Sequence, residues 1–297
     1  MEPDIKDLSE LSYLDPSGLR FFRQFAALRL VRMGKNSAKP RQVHVVTYAD
    51  DSHGVRGGLY LARQEAIRRD VERHGLARCL TYRFKDLQDC PEYKADPEYF
   101  ALHPFANGHA FKPVILRKAL QSIKDGEYLF YYDASKFLLG RTIGLLRKLC
   151  DSAGGALTWQ YGDPNVMWVK KAVFKACGDS NANSVNSPHL ATTWFLFKVD
   201  TRFRHFITRW VGVNSLREVA EERGCSHSTF PSSAELESNR YIDNRGDQSI
   251  FSVLCNVYGY AGFFGAGYGF NRSPKLFVAS MWTGSGLFEK YHTFHRS

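Results

Sequence analysis

Four short stretches carry the residue types that polar chemistry needs. The densest runs from Asn239 to Ser249 (NRYIDNRGDQS) and leads straight into the apolar run IFSVL. Asp247 in that stretch has two readings. It is a general base that takes a proton from an acceptor hydroxyl within hydrogen-bond reach, or a first-turn acid stabilised by the dipole of the helix it opens. Lys112-Pro113 opens another helix, where ammonium and amide dipole would both favour an anion; the plainer reading is a solvated lysine ahead of a proline. Asp133-Ala134-Ser135 follows the strand-like run EYLFYY. A carboxylate at the end of a buried strand is costly unless it is paired, hydrogen-bonded or metal-bound. A hard divalent cation bridging Asp133 to a diphosphate would satisfy it, and so would a role as cap of the next turn. Thr47-Tyr48-Ala49-Asp50 ends a second such run, QVHVVTY. His292 and His295 lie three residues apart near the end of the chain and either reach a metal or are simply exposed.

The elements that must position these residues follow from periodicity. Gln42 to Tyr48 reads as a buried strand, 56–74 as a helix ending at Gly75, and Cys79 to Phe84 as a second strand. That β-α-β opening predicts parallel pairing with a right-handed crossover. The proline-rich stretch 86–111 reads as loop, and Pro113 fits the first turn of a helix to about Lys124. Glu127 to Tyr132 is a strand and 140–151 a helix. A short strand near Ala156–Trp159, a helix near 170–176 and a polar loop from Gly178 to Pro188 follow. Ala191 to Lys198 is a strand; 201–211, 215–223 and Asp247 to Tyr258 are helices, with 224–240 as loop. The last 38 residues, rich in glycine and aromatics, read as irregular. Ligands of open α/β sheets bind at the carboxyl ends of parallel strands, which is where Asp50 and Asp133 fall.

Composition bounds the answer. The chain has 297 residues, 44% hydrophobic and 24% charged, which fits an ordinary globular protein and excludes disordered, collagen-like and coiled-coil classes. The expected architecture is one large α/β domain over 41–297, preceded by an N-terminal helical extension over 1–40 in which Leu19, Phe22, Phe25, Ala26, Leu30 and Met33 recur at helical spacing. The formal net charge of +10 points to an anionic partner. The six cysteines show no C-x-x-C spacing, so a structural zinc site is not expected. No secretory signal and no apolar run long enough to span a membrane is visible. The expected location is therefore cytoplasmic, with a peripheral position at a membrane left open. The G-x-G-x-x-G, Walker, G-x-S-x-G and H-E-x-x-H patterns are all missing, which argues against dinucleotide-binding Rossmann enzymes, P-loop NTPases, α/β-hydrolases and zinc proteases.

Taken together, the segments FKPVILRKAL, DGEYLFYYDAS, MWVKKAVF, TTWFLFK and NRYIDNRGDQSIFSVL resemble a microbial and viral group of GT-A-type nucleotide-sugar glycosyltransferases. That group carries W-K-P, then Y-x-D-A-G, then W-T-K, and late H-R-x-D-Q-S. The similarity covers roughly residues 40–260. It implies a GT-A-like fold: a Rossmann-like mixed sheet flanked by helices. It also implies roles. Thr47, Tyr48 and Asp50 would line the nucleoside pocket, with Arg56, Lys112, Asp133 and Ser135 completing the donor site. Trp168, Lys170, Arg245 and Gln248 would lie near the sugar or acceptor, and Asp247 would be catalytic. Either Asp133 with His292 or His295 would hold Mn²⁺ or Mg²⁺, or basic side chains would take the place of the ion. The sequence departs from the group at Phe111, which replaces Trp, at Ser135, which replaces Gly, and at Arg245-Gly246.

The activity implied is transfer of a sugar from a UDP- or GDP-sugar to a hydroxyl of a glycan or similar acceptor, in polysaccharide or glycan biosynthesis. In an inverting enzyme Asp247 would take the acceptor proton; in a retaining one Asp247 or Gln248 would only support the sugar. Two other readings stand beside it. One is a GT-A-like sugar nucleotidyltransferase, for which residues 50–58 (DDSHGVRGG) would have to serve as the phosphate loop. The other is a non-enzymatic binder of nucleic acid or anionic glycan, with aromatics stacking beside arginine. Because the 22 Phe and 15 Tyr fall mostly in apolar periodic segments, no nucleic-acid partner is expected.

Overall fold

β-Branched and aromatic residues set the strands. A computed structural model describes residues 42–50, 57–75, 77–102, 107–134, 143–179, 183–220, 241, 244–260 and 262–264. The first strand, β1 (Val43–Tyr48), is buried along its whole length. Helix α1 (Gly57–His74) carries the chain to β2 (Ala77–Tyr82). Three short helices follow, α2 (Phe84–Gln88), α3 (Pro91–Ala95) and α4 (Pro97–Ala101). Then come α5 (Phe111–Leu120), β3 (Tyr128–Tyr132), α6 (Ile143–Ser152), β4 (Ala156–Pro164), a 3-10 turn at Asn165–Met167 and α7 (Lys171–Ala176). The described chain continues with β5 (Pro188–Lys198), α8 (Thr201–Asn214), α9 (Arg217–Ala220), α10 (Gly246–Val257) and β6 (Gly262–Phe264).

These strands form one sheet in the order β2-β1-β3-β5-β4-β6. β1 pairs parallel with β2 and β3, β5 runs antiparallel to both β3 and β4, and β6 is parallel to β4. The sheet is therefore mixed, with helices on both faces. Alternation along the strands divides the core. Val46, Leu129, Tyr131, Phe195 and Phe197 face the layer that holds Ile115 of α5, Phe206 of α8 and Phe251 of α10. Val45, Phe130, Leu157 and Leu196 face Ile67 and Val71 of α1 and Leu146 of α6. Leu190 and Phe195 share a layer although they are an odd number of positions, five, apart. The alternation of β5 slips between them, and its pairing with β4 shifts register over the same stretch.

The first layer is aromatic. Phe195 stacks on Phe251 at 4.8 Å, Phe197 on Phe203 at 4.5 Å, and Trp210 lies 5.0 Å from Phe251. Such pairs contribute roughly 0.5–1.5 kcal/mol each beyond their buried area. They lock α8 and α10 onto the sheet, which fixes where α10 begins.

The sequence reading differs from the structure in several places; Phe84, read as the end of a strand, opens α2, and the helix read to about Lys124 ends at Leu120. The stretch read as loop, 86–111, holds α2 to α5's first residue. Pro91 and Pro97 occupy first-turn positions, where the missing N–H costs nothing, and Asp96 caps α4 by accepting from the Tyr99 amide at 3.2 Å. β4 runs five residues past Trp159, to Pro164. Part of the segment read as irregular, Gly262–Phe264, pairs with β4 as β6. The N-terminal extension and the loop 224–240 lie outside the described residues. Among those residues no helix is long and apolar enough to cross a membrane.

Candidate functional site

Two parallel strands end in the same device. At the end of β1 the Tyr48 hydroxyl donates to Asp50 Oδ2 at 3.3 Å. At the end of β3 the Tyr131 hydroxyl donates to Asp133 Oδ1 at 2.6 Å. Residues two apart on a strand point to the same side, so each tyrosine reaches the acid that follows it. Burial, with Asp133, Asp247 and Tyr48 as further causes, pushes the Tyr131 phenol well above its ordinary range, so it remains a donor. Between the strand ends, Gln64 of α1 donates to the carbonyls of Thr47 (3.2 Å) and Tyr82 (3.0 Å). Thr47 is buried, and its Oγ1 has no hydrogen-bond partner among the described residues. The Tyr48 ring stacks on Phe111 at 4.0 Å, with 19° between planes.

The turn that opens α5 is tightly held. Asn107 donates to the carbonyls of Tyr99 and Leu102 and accepts from the Ala110 amide, while the Tyr99 hydroxyl donates to the Asn107 carbonyl. Gly108 and His109 both take positive φ, 57° and 56°. Glycine tolerates that conformation, whereas for a residue with a Cβ it costs roughly 1–2 kcal/mol. Three residues after His109, the Lys112 side chain is 3% exposed. Its Nζ meets Asp247 Oδ2 at 2.5 Å, Thr192 Oγ1 at 3.1 Å and the Thr192 carbonyl at 3.3 Å, and it lies 5.2 Å from the Tyr131 ring. Two hydrogen bonds to Thr192 and an ion pair with Asp247 thus surround the buried ammonium, which needs such partners.

Asp247 lies in the first turn of α10, where the helix dipole also favours its charge. Its amide donates to the Gly108 carbonyl at 2.9 Å. The preceding Gly246 has φ 46°, and a Cβ there would sit 2.5 Å from Gly108 Cα. A Cβ on Gly108 would in turn overlap the Ala220 carbonyl. Only glycines allow the two segments to approach this closely. His109 Nδ1 stands 3.9 Å from Asp247 Oδ1. Gln248 is buried, and its Nε2 lacks a hydrogen-bond partner among the described residues.

A second grouping adjoins the first. The Arg245 guanidinium lies 3.7 Å over the Trp168 ring. Its backbone N–H donates to Ser249 Oγ at 2.9 Å, and Ser249 Oγ donates to the Trp168 carbonyl at 2.5 Å. The Lys170 amide donates to Asn244 Oδ1 at 3.5 Å, and Lys170 is buried. Behind this lies a neutral network: Asn165 Oδ1 accepts from His189 Nδ1 at 2.9 Å and from Ser252 Oγ at 2.7 Å, and Ser252 Oγ accepts from the Leu190 amide at 3.0 Å. Burial, then the Arg245 charge, lowers the His189 pKa to about 3, so its ring is neutral.

The structure therefore brings together residues the sequence marked separately: Lys112 with Asp247, Trp168 with Arg245, Lys170 with the segment before Asp247. It places Lys112 inside the fold, against Asp247. Arg56, Ser135 and His292 lie outside the described residues. Asp133 is a single carboxylate already accepting from Tyr131, and among the described residues no group of three or more His, Cys, Asp or Glu is placed to hold a metal ion. Of the residues that the resemblance implies for Mn²⁺ or Mg²⁺, only Asp133 lies among the described residues. Thiol nucleophiles gain no support either, since burial pushes Cys79, Cys150 and Cys177 up to about 12. Sequence reasoning missed His109, Thr192 and the His189 network. Nothing in spacing links His109 to Asp247; the nearest signal was its place three residues before Lys112-Pro113.

Polar side chains thus gather beyond the carboxyl ends of the parallel strands of an open mixed α/β sheet, the place where ligands of such sheets bind. No family model matches the chain, and no curated protein matches it. Among solved structures it is similar to the apo form of mouse xyloside xylosyltransferase 1, with 10% identity over 74% of this chain and 84% of that one and a TM-score of 0.38.

Proposed function

We propose that the chain is a glycosyltransferase that moves a sugar from a nucleoside diphosphate sugar, UDP- or GDP-linked, to a hydroxyl of a glycan or similar acceptor. One observation carries this reading. The K-P segment and the R-G-D-Q-S segment, on which the sequence resemblance rests, meet through the Lys112–Asp247 ion pair and the Gly108–Gly246 contact. They do so beside Tyr131, whose hydroxyl donates to Asp133 at the end of β3.

In this reading Thr47, Tyr48 and Asp50 receive the nucleoside, and Asp133 marks the diphosphate end. Oγ1 of Thr47 and Nε2 of Gln248, without hydrogen-bond partners among the described residues, are buried polar atoms of the kind that a ligand satisfies. Charge developing on the leaving diphosphate is met by fixed dipoles and basic side chains. Arg245, whose guanidinium carbon lies 3.7 Å from the Trp168 ring centre, presents such a cation next to Asp247 in the chain. The acceptor hydroxyl loses its proton at or next to Asp247.

Calorimetry with UDP, GDP, CDP and ADP, each with and without Mn²⁺, tests the donor site. Selective binding of one nucleotide, weakened in Asp133→Asn, is the expected result and names the base. Asp247→Asn is expected to lose transfer while keeping nucleotide binding. If none of the four nucleotides binds with or without the metal, the reading falls.

A further inference from the structure

We propose that His109 takes the proton from the acceptor hydroxyl and that Asp247 is the residue that positions its ring. The inference rests on the glycosyltransferase reading and assigns the proton acceptor within it. Asp247 is a poor candidate to touch the acceptor itself. Its side chain is 4% exposed, and its Oδ2 is engaged by Lys112 at 2.5 Å. A base must come within hydrogen-bond reach of the hydroxyl it deprotonates, and this carboxylate offers a sugar almost no surface.

His109 lies one layer further out. Its side chain is 25% exposed, with Nδ1 3.9 Å from Asp247 Oδ1. Its ring lies 6.0 Å from Phe111, which stacks on Tyr48. The imidazole thus sits between the buried ion pair and the aromatic stack at the end of β1. Its backbone is held at φ 56° in a turn fixed by Asn107 and by the Asp247 amide on the Gly108 carbonyl. Glycine would relieve that conformation, and a side chain kept at a strained position points to use of the side chain. A carboxylate behind an imidazole fixes its tautomer and stabilises the imidazolium that forms. Catalytic contacts that are long in the empty site tighten when substrate binds, so 3.9 Å is compatible with the role.

The step balances as a back-side displacement. The acceptor O–H bond breaks and its proton goes to His109 Nε2. The freed electron pair forms the bond from the acceptor oxygen to the anomeric carbon. The bond from that carbon to the diphosphate oxygen breaks, and its electrons leave with the nucleoside diphosphate. The imidazolium, facing Asp247, then returns its proton to solvent. The product has inverted anomeric configuration.

Two substitutions accept the left-handed backbone, His109→Gly and His109→Asn, so neither should disturb the fold. With the donor identified by calorimetry, each is expected to lower kcat by about 100-fold or more. Nucleotide Kd and donor KM should stay within about 3-fold of wild type. Added imidazole should restore about tenfold or more of the lost rate to His109→Gly, and none to Asp247→Asn. A kcat in either His109 variant within about 3-fold of wild type overturns the inference while transfer by wild type leaves the glycosyltransferase reading standing. A retained anomeric configuration does the same. Wild-type protein that binds no nucleoside diphosphate and transfers no sugar overturns the reading itself, and this inference with it.

Discussion

Two buried polar centres are fastened to the same helix, and they are built on opposite principles. At the first turn of α10, Asp247 meets Lys112 as a full ion pair. One turn further along, Ser252 joins Asn165 and His189 in a network without charge. The charged centre lies beside the strand ends and the exposed edge of His109; the neutral one sits behind Trp168, where Asn165 and His189 are fully buried. In the proposed function the charged centre is the one that faces the reacting groups, and the neutral one only holds shape. A buried ion pair roughly breaks even against an apolar pair of the same volume, yet losing one partner is severe. A satisfied neutral network loses its bonds in smaller steps.

That contrast can be broken at several points. The largest effect is expected from Lys112→Ala, which strands the Asp247 carboxylate and should cost about 3–5 kcal/mol in urea unfolding. The double variant Lys112→Met with Asp247→Leu should recover most of it. A single-variant loss below about 1 kcal/mol would mean the pair is hydrated, like a surface bridge, and the contrast would fail. Asn165→Ala comes next, at about 2–3 kcal/mol, because it leaves the His189 and Ser252 donors and the Ser184 carbonyl without their partner.

Acid sharpens the comparison from the neutral side. Folding lowers the His189 pKa from its usual 6.5 to about 3. Between those values the unfolded chain takes up a proton that the folded chain refuses. Stability from this group is therefore intact above pH 6.5 and falls as pH drops toward 3, at up to about 1.4 kcal/mol per pH unit. His189→Gln should flatten that part of the profile, measured as the urea midpoint against pH. An unchanged slope would show that the ring is already hydrated in the fold. The smallest effect is expected from Arg245→Gln, which removes the cation from the Trp168 face and should cost about 0.5–1 kcal/mol.

Much of the sheet was legible because its strands are runs such as VHVVTY and YLFYY, whose β-branched and aromatic residues leave little alternative. Helices α8 and α10 were legible from their apolar spacing, with Asp200 capping α8 through the Phe203 amide at 2.7 Å. The short helices α2 to α4 were not, since five residues hold too little of a period and their prolines read as breakers. The second half of β4 was hidden by Gly162, Asp163 and Pro164. For the site, residue types were visible but partners were not. Lys112 and Asp247 each suited an anion or a proton when read alone. That they answer one another depends on α5 and α10 packing on the same face, a tertiary fact no local spacing encodes. His109 was passed over for the same reason: its interest comes from a positive φ and from a carboxylate far along the chain.

The meeting of Gly108 and Gly246 has a mechanical consequence. Backbone lies on backbone there, and the Asp247 amide is tied to the Gly108 carbonyl. No rotamer stands between the two segments to absorb a small displacement. A push on the turn before α5 is handed undamped to the head of α10, as through a riveted joint. The turn before α5 and the head of α10 therefore behave as a single rigid piece.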